Sequence, residues 1–292
     1  MDLFDTFRAL PGLYIGTMLV MGLLVGSFLN VVIHRLPKMM EADWRQQCLE
    51  YMHPEQVGKD AIKPRYSLVV PRSACPSCGH KITAIENIPL LSYLFLRGKC
   101  AACRAPIGIR YPAVEMLAGV LTAFVAWHFG VTWGAAFAVL FTWAMIALAF
   151  IDADTTLLPD DITLPLLWLG LLVNVGGLFV PVSTAIIGAA AGYLLLWSVF
   201  WAFKLFTGKE GMGYGDFKLL AAIGAWLGWQ MLPLVILLSA VVGTVVGVAG
   251  IILKGRDKGS KLPFGPYLAA AGWIALIWGA QLNAWYLGRG AA

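Results

Sequence analysis

Residues 131–151, VTWGAAFAVLFTWAMIALAFI, run for 21 positions without a single charged side chain. About 20 apolar residues make a helix long enough to cross the roughly 30 Å hydrocarbon core of a bilayer. Lipid offers no hydrogen bonds, so such a run satisfies its backbone internally and is read as an α-helix. The run is not isolated. Hydrophobic residues make up 60% of the 292 and charged residues only 13%, about half the charged share of a soluble domain. The chain therefore reads as an all-α polytopic membrane protein.

Residues 13–32 are about one bilayer span, preceded by Arg8 and followed by His34, Arg35 and Lys38. A cleaved signal peptide is a poorer reading. The apolar run is too long and ends in GSFLNVVIHRLP, which has no small-x-small cleavage site. Residues 39–111 are the one long polar stretch, rich in proline, charge and paired cysteines. Beyond them the chain is almost continuously apolar. Breaks at Gly130, 152–161, Pro181, 207–216, 230–233 and 254–263 divide it into seven further spans, eight in all. Residues 217–229 are short for a full crossing, but charge parity favours one there. Of 21 Lys and Arg, twelve lie in residues 34–112, three at Lys204, Lys209 and Lys218, and four in residues 254–261. Those clusters share one side of the membrane only if the chain crosses twice between residues 217 and 253. By the positive-inside rule that side is the cytoplasm, with both chain ends on the other.

The spans place two aspartates at the same boundary. Asp216 lies in KEGMGYGDFKLL, where Gly213 and Gly215 let the backbone turn sharply at the start of a helix. Asp152 ends the charge-free run. Ionisable groups at membrane depth are costly unless they face a cavity or a partner, so Asp152 and Asp216 are read as a water-activating pair. The plainer alternatives are a helix N-cap for Asp216 and a solvated residue for Asp152. Asp154 competes with Asp152 for the first position, whereas Asp160 and Asp161 follow Pro159 and read as caps of the fourth span. A nucleotide-binding reading of GMGYG fails because no strand precedes it.

Cys75, Cys78, Cys100 and Cys103 form two C-x2-C pairs separated by 21 residues. Each pair can hold a metal from a tight turn, and four thiolates close a structural tetrahedral zinc site. Two disulfides are the alternative, disfavoured on the cytoplasmic side where thiols stay reduced. His80 is read as a surface residue or one behind the ligands, and Cys48 as incidental. The expected fold has about eight transmembrane helices and a small cytoplasmic zinc-binding domain between helices 1 and 2. Its expected parts are residues 1–37 as the first span and its cytoplasmic end, 38–111 as the tetracysteine domain, and 112–292 as a seven-helix membrane portion.

These residues together resemble the type IV prepilin leader peptidases of bacteria. The resemblance is carried by GSFLNVVIHRLP, CPSCGH, GKCAAC, RYPAVE, IDADTTLLPD, KEGMGYGDFKLL and PFGPYLA. It implies that the family's catalytic aspartates fall on Asp152, rather than Asp154, and on Asp216. It further implies an inner-membrane enzyme that cuts the basic leader from prepilins and pseudopilins after a glycine, on the cytoplasmic side. The new N-terminal residue would then be methylated on its amine with S-adenosylmethionine as donor. That activity is associated by resemblance with the cysteine domain around Gly98 and Lys99, and no donor-binding residues are assigned. A helix start at Asp216 would make it the ionised member of the pair. Lys209 and Glu210 are candidates to orient substrate or are simply solvated loop charges, and PFGPYLA is expected to pack near the active site.

Three other classes fit less of the chain. A GxGD protease of the presenilin and signal-peptide-peptidase kind leaves GSFLNVVIHRLP unexplained. An aspartate-based proton or cation transporter would be expected to show repeated halves, and none is evident. A nucleic-acid ribbon needs a basic aromatic face, whereas residues 39–111 carry ten basic and six acidic side chains without such a stripe.

Overall fold

The structure is a computed structural model, and residues 3–52, 66–254 and 263–286 are described. Every regular element among them is helical. The helices are α1 (Leu3–Ala9), α2 (Pro11–Met52), α3 (Leu91–Phe95), α4 (Arg110–Phe129), α5 (Trp133–Thr155), α6 (Asp160–Val175), α7 (Val182–Thr207), α8 (Tyr214–Leu227), α9 (Leu232–Lys254) and α10 (Gly265–Tyr286), with a 3-10 turn at Trp229–Met231. Five of the described stretches are long and apolar enough to cross a membrane: α2, α4, α5, α7 and the stretch Trp229–Gly250. This is a multi-pass membrane protein. Of the expected break at residues 254–263, positions 255–262 and their charges lie outside the described residues.

The chain falls into two compact units, Leu10–Phe124 and Met1–Ala9 with Val125–Ala292. In the first, α2 and α4 pack through small residues. A Cβ on Gly22 would sit 2.6 Å from Thr122 Oγ1, and one on Gly26 only 2.7 Å from Glu115 Cα. Glycines four apart give a helix a flat face against which another backbone can close, which is the usual way helices associate in lipid. The other residues of GSFLNVVIHRLP hold the polar segment. Asn30 Nδ2 donates to Tyr111 O at 3.0 Å, and the buried Arg35 donates from Nη1 to Ser67 O at 2.9 Å. Glu115 accepts from Ser27 and from the Leu90 N–H, the latter at 2.9 Å.

One boundary differs from expectation. The helix that begins in the first span does not stop near HRLP but continues through Pro37 to Met52, 42 residues in all. Its polar end is exposed and carries pairs one turn apart, Glu41 with Arg45 at 3.6 Å and Gln46 with Glu50 at 2.8 Å. Such pairs support an exposed helix from within its own turns.

In the second unit α8 is the centre. Eleven of its 14 residues are buried, and it packs on α6, α7, α9 and α10. At about 1.5 Å per residue it is roughly 21 Å long, shorter than the hydrocarbon core. Its register is set by close backbone contact. A Cβ on Gly188 of α7 would collide with the Gly224 carbonyl, and one on Gly192 would lie 2.7 Å from Leu220 O. The fully buried Trp226 donates from Nε1 to Leu166 O at 2.8 Å and fills the space that Gly170 leaves open. Outward faces of α7 and α9 expose Ile186, Ile187, Leu194, Val241, Val245 and Val248, a surface suited to acyl chains rather than water.

Candidate active site and metal site

The two C-x2-C pairs fold into a matched pair of turns. The Cys75 N–H donates to His80 O at 2.9 Å and the Gly79 N–H to Cys75 O at 2.9 Å. In the second turn the Cys100 N–H donates to Ala105 O at 2.8 Å and the Arg104 N–H to Cys100 O at 3.0 Å. The residue after each pair, Gly79 and Arg104, has a left-handed φ of 72° and 61°, which turns the chain back so that both sulfurs of a pair face one point. All four Sγ atoms lie within 4.8 Å of one another, Cys75 to Cys103 at 3.8 Å and Cys78 to Cys100 at 4.0 Å. Four sulfurs about 2.3 Å from a tetrahedral ion would stand about 3.8 Å apart, so the donor set fits a metal ion and would hold it with four thiolates. Disulfides need sulfurs about 2.05 Å apart, and all four cysteines are free thiols. Backbone N–H groups of Ser77 and Cys78 aimed at Cys75 Sγ hold that thiol down at about 6, whereas at Cys78 the backbone of His80 pulls the same way but hydrogen bonds with the neighbouring sulfurs push the thiol up to about 12.

His80 is turned away from the sulfurs. Its Nε2 lies 3.1 and 3.2 Å from the two Glu86 carboxylate oxygens, and Glu86 Oε2 also accepts from the Thr83 N–H at 2.8 Å and from Thr83 Oγ1 at 2.9 Å. Those Thr83 donors, with His80, hold the Glu86 carboxyl below its ordinary range. Cys48 is exposed on α2.

In the second unit the structure brings Asp152 and Asp216 together and leaves Asp154 aside. Asp152 is buried in the last turn of α5, whereas Asp154, two residues on and about 200° around the helix, is exposed. Asp216 is buried in the first turn of α8 and lies within Coulombic reach of Asp152. It is not the N-cap. It is the third residue of α8, and its Oδ2 reaches back to accept from the Gly213 N–H at 3.2 Å. The other carboxylate oxygen, Oδ1, is buried without a hydrogen-bond partner among the described residues. A buried carboxylate oxygen with an open valence is costly unless something polar is to be bound there. Gly215 keeps its neighbour close, since a Cβ there would stand 2.7 Å from Leu158 Cβ.

Asp152 has a partner that the spacing of residues did not reveal. Its Oδ2 accepts from the Gly265 N–H at 2.8 Å, from the start of α10 and 113 residues away in sequence. The only sequence signal was the double-proline string PFGPYLA, whose contact with the site depends on the packing of α10 against α5 and α8.

Asp160 and Asp161 do not cap α6 as expected. The N-cap is Pro159, both aspartates lie in the first turn, and Asp160 binds Lys218 Nζ through both oxygens at 2.7 Å. In the loop before α8, Glu210 is paired with Lys204 at 2.9 Å.

Two family descriptions match the chain: "Bacterial Peptidase A24 N-terminal domain" over residues 20–129 and "Type IV leader peptidase family" over residues 139–248. Relatives named "Prepilin leader peptidase/N-methyltransferase" include one from Aeromonas hydrophila, 56% identical over 98% of both chains, and one from Pseudomonas aeruginosa, also 56% identical over 98% of both. A third, from Dichelobacter nodosus, is 51% identical over 89% of this chain and 90% of its own. No solved structure matches. A match of this extent, over nearly all of a chain that carries a four-cysteine cluster and a buried aspartate pair, places the protein in the type IV leader peptidase family.

Proposed function

We propose that this chain is a prepilin leader peptidase and N-methyltransferase of the bacterial inner membrane, with Asp152 and Asp216 as its catalytic dyad. The observation that carries the reading is the pair of buried carboxylates, one of them with an unpartnered oxygen, in a chain of this family. Two carboxylates in mutual Coulombic range do not both ionise easily, so they share a proton and titrate as a pair. The ionised member takes a proton from water as its oxygen attacks the scissile carbonyl carbon. The protonated member hydrogen-bonds the carbonyl oxygen, and the proton returns to the departing amine as the intermediate collapses. Cleavage after a glycine suits this site, because hydrolysis needs an unwound backbone and glycine gives up helix at least cost.

The substrates of this reading are prepilins and pseudopilins, whose apolar segments lie in the bilayer with the leader at the cytoplasmic surface. Eight crossings, with α6, α8 and α10 added to the five runs that are long and apolar enough to span, put the basic clusters and the aspartates on that side. The four cysteines hold a structural zinc ion, whose binding supplies folding free energy to a segment with little core of its own. S-adenosylmethionine is the methyl donor, and no residue of this chain is assigned to it.

The test is mass spectrometry of a purified prepilin incubated with the protein and S-adenosylmethionine, beside Asp152→Asn and Asp216→Asn variants. Loss of the leader plus one methyl mass is expected from the wild type. Either substitution lowers the cleavage rate at least about 1,000-fold, as loss of one member of a unit does. The pH dependence of kcat/KM has two limbs. A folded protein that leaves prepilin intact, or an aspartate variant that cuts at the wild-type rate, overturns the assignment.

A further inference from the structure

We propose that Gly265 is a positioning residue for peptide hydrolysis, its backbone N–H fixing the Asp152 carboxylate in its working orientation. The inference rests on the reading of Asp152 as a member of the catalytic dyad. Gly265 is the first residue of α10. The first N–H groups of a helix have no partner within it and point along the positive end of its dipole. Next in line, Pro266 has no N–H to give, and the Tyr267 and Leu268 N–H groups already donate to Phe264 O at 3.1 Å. The Gly265 N–H is therefore the free donor of the first turn, and it is spent on Asp152 Oδ2 at 2.8 Å.

Space, not backbone conformation, demands glycine here. A Cβ on Gly265 would stand 2.7 Å from Asp152 Oδ2, 2.9 Å from Cγ and 3.1 Å from Cβ. The atoms in the way belong to a short side chain that ends a packed helix, so any larger residue displaces the carboxylate or α10 itself. Asp152 Oδ2 is thereby tethered, just as Asp216 Oδ2 is tethered by the Gly213 N–H at 3.2 Å. Each aspartate thus has one oxygen held by a backbone donor from a glycine, which orients the two carboxylates without adding a competing charge. Misplacement of a catalytic group by about 1 Å can cost on the order of 100-fold in rate.

Gly265→Ala tests this against Gly272→Ala, a control of similar crowding. Gly272 lies two turns along α10, where a Cβ would meet Ile223 Cδ1 at 2.8 Å, away from Asp152. Both variants are purified in detergent, and thermal unfolding, prepilin cleavage and methylation of an already cleaved pilin are measured. Gly265→Ala is expected to lower kcat for cleavage roughly 10- to 100-fold, with KM and methylation of cleaved pilin unchanged, while Gly272→Ala keeps kcat within about threefold. An unchanged kcat in Gly265→Ala overturns the proposal. So does an equal loss in Gly272→Ala, or a parallel fall in methylation, since a general displacement of α10 would produce either. Asp152→Asn in the same assay separates the premises. If it cuts normally the dyad assignment fails, whereas an inactive Asp152→Asn beside a fully active Gly265→Ala removes only the positioning role.

Discussion

Three carboxylates of this protein are placed by backbone donors. Asp152, Asp216 and Glu86 each accept at least one main-chain N–H, from Gly265, Gly213 and Thr83. For Glu86 the consequence is a pH effect whose sign is fixed. Its folded value is depressed, so its contribution is present above the ordinary glutamate value of about 4.3 and is lost as pH falls through the folded value. Glu86→Gln is expected to lower the stability of the cysteine segment at neutral pH, with the gap to wild type closing on acidification below about pH 4. Hydrogen exchange of the 75–103 amides in both proteins checks this, and a gap that is constant with pH would count against the network.

At the scale of elements, the position of Asp216 is the position of α8. This helix is too short to be held by the bilayer, so its neighbours hold it. Near its C-terminal end the fully buried Asn174 donates from Nδ2 to Ala225 O at 2.9 Å and to Trp226 O at 3.1 Å, carbonyls in its last turn. Asn174 Oδ1 meanwhile accepts from the Phe179 and Val180 N–H groups, at 3.0 and 3.1 Å. One side chain thus ties α6, the turn before α7 and the end of α8. Asn174→Leu keeps the branched outline of the side chain, although it is bulkier, and leaves these groups unpaired away from water. The expected loss is roughly 3 kcal/mol, read as thermal or denaturant unfolding in detergent, together with lower cleavage as α8 loosens. Unchanged stability would mean that the packing of Gly188 and Gly192 against α8 suffices on its own.

For the whole molecule, the membrane helices and the cysteine segment are held by different physics. The helices close through glycine contacts and, in the second unit, through buried aromatic rings such as Trp226, Phe141 and Phe217. The cysteine segment has two isolated β-bridges, a five-residue helix and largely exposed apolar side chains, which is too little burial to fold a segment of that size. Removal of metal with a strong chelator is therefore expected to raise exchange of the 75–103 amides by at least 100-fold, with the amides of α5, α7 and α8 unchanged. A Cys100→Ser variant should behave the same way without chelator. Uniform protection in both conditions would mean that the cysteine turns stand without an ion.

The sequence by itself determined what depends on neighbours in the chain. Helices follow from apolar length, the paired turns from C-x2-C, and the abrupt start of α8 from its glycines, because each is settled within a few residues. Which of Asp152 and Asp154 faces inward was not legible from spacing, since both sit at one helix end and the choice is a matter of which face is buried. The tertiary structure alone decided the rest. Gly265 on Asp152, Asn174 on α8, Arg35 on the Ser67 carbonyl and Lys218 on Asp160 join residues 113, 51, 32 and 58 positions apart. Such pairs are selected by which helix faces meet, and no local propensity encodes that. The extension of α2 to Met52 was also missed, because its polar end is held by pairs within the helix rather than by an apolar stripe. A membrane core makes long-range polar contacts decisive, since a donor or acceptor left open there has no water to turn to.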